Sequence, residues 1–407
     1  MKLFFRLFAL ACLSGGMVFT SCVKDPEDIG GNDGNGNGSG DDNTISGRIS
    51  ENRTLSDRGL DVDYIIDGTL WLEGNALLTI EPGVTIMFTG VDGGIDVGEN
   101  AGLKMVGTAD KPIKFVGPAN NPNNGSWHSI VYHSTRSDNQ MEYVQLLRGG
   151  SGDVSWDAVL RLENGRVSMK NCLVDGSLCN GIELEEGFFS SFDGNTVKNC
   201  TAYPVYNYNG VTLLKNFGSN TFTSNGKNYI RVRGGDELTD DFTLVNAGIP
   251  YFFETSLHVS GSYVFSVQSG TSLLFNNGVD FEVDENTSLM AEGTSANPII
   301  MRGFLNEPGY WGGLYIKSTC SNNRMTNCRI FDCGYEDGWR GACLYFWENS
   351  RMDLNDCTFG NSRHYGVAIE NVESFRTNVS HSGCQFVDCA EANVYLEESG
   401  ETMTELP

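Results

Sequence analysis

Two glycine-rich, charged loops of this chain each hold a tryptophan. Gly149-Gly-Ser-Gly-Asp153-Val-Ser-Trp156-Asp157 pairs with Gly334-Tyr335-Glu336-Asp337-Gly-Trp339-Arg340. An aromatic plate beside carboxylates is a surface on which a sugar ring stacks while its hydroxyls hydrogen-bond. Trp156 and Trp339, with Asp153, Asp157, Tyr335, Asp337 and Arg340, are therefore the candidate glycan-binding residues. The competing reading is that each ring folds back and covers the flank of the body. Trp71, Trp127, Trp311 and Trp347 lie in strand-like surroundings and read as packing residues. His128 and His133 flank Ser129-Ile-Val-Tyr132; five apart on a strand, they point to opposite faces. Glu183-Leu-Glu185-Glu186 reads as a solvated face, because its counterpart Ala368-Ile-Glu370 does not keep the charges. No phosphate loop and no Gly-x-Ser-x-Gly elbow occurs, and no carboxylate pair is singled out. The five histidines are scattered and no Cys-x-x-Cys exists, so the sequence selects no metal site.

The elements that carry these loops come from a duplication. Residues 64–205 are written again at 251–396: Tyr64, Leu70, Leu72 and Gly74 read against Tyr251, Leu257, Val259 and Gly261. Inside each copy runs a shorter pattern of small-or-Cys, any, apolar, any, any, small-or-Cys. It starts at Val144, Cys172, Asn195 and Asn220, then at Cys328, Cys357 and Cys384. Successive starts lie 28, 23 and 25 residues apart, then 29 and 27. A period in the twenties with β-type alternation indicates a solenoid of strand coils. The first and third positions share an inward face, and the sixth, always Gly, Ser, Asn or Cys, suits a corner. The expected fold is all-β: a right-handed parallel β-helix with three-stranded coils and an internal duplication. Its handedness follows from crossover geometry. The seven rungs should stack in one inward column.

The amino terminus is a secretory signal. Lys2 and Arg6 precede an apolar run from Leu7 to Phe19. Phe19-Thr20-Ser21-Cys22 resembles a bacterial lipoprotein box, which implies that Cys22 is lipidated. The acidic stretch Lys24-Asp25-Pro26-Glu27-Asp28 resembles a surface-export signal of Gram-negative gut-type bacteria, which implies a lipid-anchored protein of the outer membrane exposed at the cell surface. Residues 1–21 are then the signal peptide, and 22–45 the lipidated cysteine and a flexible Gly/Asn/Asp tether. Residues 46–235 and 236–400 are the two β-helix halves, and 401–407 a tail.

Acidic residues number 52 against 27 basic ones, a net charge of −25. Nucleic acid is thereby an improbable partner, since phosphate binding needs clustered Lys and Arg. An acidic polysaccharide would be repelled unless Ca²⁺ bridged the charges, and no residue set for Ca²⁺ is located. No other cofactor is implied. Ten cysteines remain once Cys12 leaves with the signal and Cys22 takes the lipid. Buried thiols acting as small hydrophobes are preferred over a Cys357–Cys384 bridge.

The chain resembles the right-handed parallel β-helix repeat lipoproteins of the pectate-lyase-like superfamily. Leu78-Thr-Ile80-Glu-Pro82-Gly83-Val-Thr-Ile86-x-Phe88, Gly107-Thr-Ala-x-x-Pro112-Ile113-x-Phe115 and Gly125-x-Trp127 carry the resemblance, with weaker copies at 267–275, 293–301 and 309–311. It implies the fold and leaves function open. Asp240-Asp241 and Arg231-Val-Arg233 match fragments of the catalytic sets of its enzymes, but no set is complete, so no catalytic residue carries over. Three functions follow: a non-catalytic glycan-binding surface lipoprotein, a β-helix polysaccharide lyase or glycoside hydrolase, and a protein-binding adhesin or structural surface protein.

Overall fold

Left-handed residues set the corners wherever the six-residue pattern runs. The fifth position of the six-residue pattern has positive φ in all seven copies, from 47° at Asn361 to 83° at Gly176. The residue before the first position does the same at Tyr143, Asn171, Gly194, Asn327, Asp356 and Gly383. Asn, Asp and Gly tolerate this region best, and they dominate both positions. The corner therefore falls at the fifth position rather than the sixth. The sixth residue packs inside the turn, as Ser177, Cys200, Cys333 and Ser362 are buried.

The computed structural model describes residues 43–152, 157–335 and 341–407. Cys22 and the tether to Asp42 lie outside the described residues, as do Asp153, Trp156, Asp337, Trp339 and Arg340. From Asn43 onward the chain is a right-handed parallel β-solenoid of about 14 turns. Its strands form five sheets of 8, 14, 6, 8 and 6 strands, here numbered 1 to 5 in that order. Every pairing between the strands of these sheets is parallel except the last, where Glu401–Met403 turns back on Ala392–Leu396. A short α-helix, Val372–Asn378, interrupts a corner; the Asn371 side chain caps it by accepting from the Ser374 N–H.

The interior is a stack of Leu, Ile, Val, Met and Phe rows. Trp127 lies flat on Phe88, with ring centroids 4.7 Å apart, and donates its indole N–H to the Leu147 carbonyl at 2.8 Å. Trp311 repeats this on Phe275 at 4.1 Å, with its N–H to the Phe331 carbonyl at 2.6 Å. Both are fully buried packing residues, so the duplication is kept at the level of individual contacts. Seven of the ten cysteines of the body are buried.

The two copies occupy different sheets. Tyr64–Ile66 lies in sheet 1, whereas its copy Tyr251–Phe253 lies in sheet 2. Thr69–Leu72 lies in sheet 2 and its copy Leu257–Ser260 in sheet 4; Leu77–Ile80 lies in sheet 3 and Val264–Val267 in sheet 5. A full turn takes three strands. From Thr221–Thr223 the chain lays Ile230–Val232, Asp236–Glu237 and Phe242–Leu244 before Tyr251–Phe253, which is four steps. The second repeat thus enters the stack a third of a turn late.

This corrects the expectation of a single column. Val174, Val197 and Phe222 do stack, through the registers Val174↔Val197 and Val197↔Phe222 in sheet 1. Ile330, Phe359 and Phe386 stack in sheet 2 instead. The halves are still one continuous solenoid, because sheet 2 runs unbroken through both.

Candidate functional site

The outer face of sheet 2 in the first repeat collects the polar side chains. Trp71 sits between Leu70 and Leu72, both buried, so alternation turns its ring outward; it is 42 % exposed. The parallel register then places Asp96, Val131, Arg161 and Glu183 on successive strands beside it. Neighbouring strands are about 4.8 Å apart, so these side chains form one ladder along the axis.

A groove of about 310 Å³ opens between Trp71 and Arg161, with Asp96, His128, His133 and Glu163 on its walls. His128 Nε2 lies 2.8 Å from Asp157 Oδ2. His133 stands between two carboxylates, 3.4 Å from Asp96 and 3.7 Å from Glu163. Arg161 joins three: Glu163 at 2.6 Å, Glu183 at 3.5 Å and Asp157 at 3.7 Å. The guanidinium is the hub that allows so many carboxylates to share one face.

Environment separates the carboxylates electrically. Burial pushes Glu183 up to about 7, although the Arg161 charge opposes it and Asp157, Glu185 and Glu163 add to the shift. Burial also raises Asp157, but the His128 hydrogen bond and charge, the Ala158 N–H and Arg161 together outweigh it and hold the group below the usual value. Asp96 is raised by burial, with His133 pulling the other way.

Several sequence expectations change here. His128 and His133 do not face opposite ways; the strand is only Ile130–Tyr132, and both rings border the same groove. Glu183 is not solvated but 2 % exposed beneath Arg161. Trp71 is a surface residue rather than a packing one, and Trp347 is only half-buried.

Of the predicted glycan residues, Asp157 belongs to this site as a buried support for His128. Tyr335 is 45 % exposed and lies over Gly278. The loop that follows Val144–Leu147 leads from sheet 1 to sheet 2, whereas the one that follows Cys328–Phe331 leads from sheet 2 to sheet 4. The described flanks of the paired loops therefore lie at different corners of the coil. The alternation Leu70-Trp71-Leu72 was the available signal for the site that was missed.

The second repeat does not reproduce the groove. His258, Glu282, Tyr315, Tyr345 and Ala368 hold the register positions of Trp71, Asp96, Val131, Arg161 and Glu183. Around them Tyr315 and Tyr345 form an outer aromatic cluster with Trp347, Tyr365 and Tyr395 half-buried against it.

Two stretches of the chain match family models. Residues 47–156 match a pectate-lyase like beta helix domain, and residues 309–405 a right handed beta helix region. No curated protein and no solved structure matches the chain.

Proposed function

We propose, for this right-handed β-helix protein with pectate-lyase-like domains, a non-catalytic carbohydrate-binding function at the cell surface. The observation that carries the reading is the exposed ring of Trp71 at the edge of a groove walled by Asp96, His133, Arg161 and Glu163. A sugar stacks on the indole face, and the carboxylates and guanidinium take its hydroxyls. The groove runs along the axis, so it suits a chain of sugars rather than one ring. Binding without cleavage is favoured because Glu183 lies beneath Arg161, out of contact with a bound sugar. The net charge of −25 favours neutral glycans. Lipidation of Cys22 would tether the body to the outer membrane and leave the groove free.

A glycan array probed with the mature chain, repeated with Trp71→Ala, tests the binding reading. Retention of a neutral glycan that the variant loses supports it; no retained glycan, or equal retention by both, overturns it. One observation favours cleavage instead: Asp96, raised by burial, faces His133 and Glu163 across the groove. New reducing ends released from the retained glycan would select that reading.

A further inference from the structure

We propose that His258, Glu282 and Asp284 form a binding site for a divalent transition-metal ion, with Zn²⁺ as the best fit. This goes beyond the glycan reading and does not rest on it. His258 lies on Leu257–Ser260 and faces Glu282 across the parallel register of sheet 4. Asp284 is two residues further and emerges on the same side. The three donor atoms lie within 4.8 Å of one another.

The spacing suits co-ligands better than partners in a hydrogen bond. His258 Nε2 is 3.3 Å from Glu282 Oε1 and 3.7 Å from Asp284 Oδ2. Good N–H···O bonds run roughly 2.7–3.2 Å, and a neutral imidazole nitrogen has at most one hydrogen to give. Two carboxylates converging on one nitrogen at these distances cannot both take a good hydrogen bond from it. A tetrahedral ion with bonds of roughly 2.0–2.2 Å holds its ligands roughly 3.3–3.6 Å apart, close to the 3.3 and 3.7 Å that separate the imidazole nitrogen from the two carboxylates. One imidazole with two carboxylates suits Zn²⁺ and its neighbours; Ca²⁺ and Mg²⁺ prefer all-oxygen shells. His258 is half exposed, so water can complete the shell.

Lys317 is the competitor. Its Nζ lies 2.7 Å from the same Glu282 oxygen and 5.3 Å from the centre of the Trp347 ring. An ion that takes this oxygen displaces the ammonium. The first repeat has no such site, since its matching positions carry Trp71, Asp96 and Gly98.

Titration of the full-length mature protein with ZnCl₂, followed calorimetrically, tests the proposal. We expect one saturable site, weakened at least tenfold by His258→Ala and by Asp284→Asn, and tightened by Lys317→Met. CoCl₂ in place of zinc should give a visible absorption band that His258→Ala abolishes. His258 is too exposed for its loss to unfold the chain, and unchanged circular dichroism checks this. Absence of saturable zinc uptake overturns the proposal. So does uptake that His258→Ala leaves unchanged, or CaCl₂ binding as tightly as zinc.

Discussion

At the scale of single residues, burial decides what each group can do. Glu183 keeps its proton in the folded chain up to about pH 7, whereas the unfolded chain releases it near the ordinary value of 4.5. The folded state therefore holds more protons between those values. The contribution is full below about pH 4.5 and is lost as pH rises through about 7. At about 1.4 kcal/mol per unit, the loss is on the order of 3 kcal/mol. Urea denaturation at pH 5 and pH 8 should show Glu183→Gln gaining on the wild type by up to that amount at the higher pH. A constant difference between the two proteins would show that Glu183 is already ionised. Phe359 sits fully buried between Ile330 and Phe386, so Phe359→Ala should cost roughly 3–5 kcal/mol by the same measurement. The inward rows could be read from the chain because alternation fixes direction residue by residue. The pairings of His128, His133 and Glu183 could not, because their partners stand 22 to 37 residues away on other coils and only the register brings them together.

At the scale of elements, the repeat predicts equivalent supports. The Asn139 side chain accepts from the Leu103 N–H and donates to the Ser134 and Arg166 carbonyls. Asn323 accepts from Leu289 and donates to Ser318 and Arg351 in the same way. Each buried amide closes a corner by satisfying backbone groups of three coils. Asn139→Ala and Asn323→Ala should each cost about 1–3 kcal/mol in thermal or urea unfolding, because each leaves buried polar groups unpaired. A marked inequality between the two would break the structural equivalence of the repeats. The period, the strand alternation and the polar corners were all legible in the seven six-residue copies. The third-of-a-turn offset was not, because a repeat records the order of strands and not the angle at which they stack. Its only trace was the linking segment between Phe222 and Tyr251, where strands as short as Asp236–Glu237 carry too few residues to show a pattern.

At the scale of the whole molecule, the offset separates what the duplication made. The first repeat shows its groove on sheet 2, and the second shows the corresponding strands on sheet 4, a different face. One long glycan cannot lie on both along a straight path, so avidity from paired sites is not expected. Calorimetric titration with the retained glycan should give one site per chain; two equal sites would contradict the assignment to the first repeat alone. Anchoring is a separate matter. Cells carrying Cys22→Ala should lose incorporation of a palmitate analogue and release the protein from the membrane fraction. Persisting label would exclude Cys22 as the lipid acceptor.

The unbroken passage of sheet 2 also has a mechanical side. Near the junction sheet 1 ends at Thr221–Thr223 and sheet 3 at Phe188–Asp193, while sheets 4 and 5 begin anew at Asp236–Glu237 and Phe242–Leu244. Elsewhere each coil is laced to the next by three ribbons of hydrogen bonds; here a single ribbon spans the gap. A rod laced on one face and open on the others is compliant in bending. Pulled from its two ends, it should yield first at that point, with each repeat parting as an intact block.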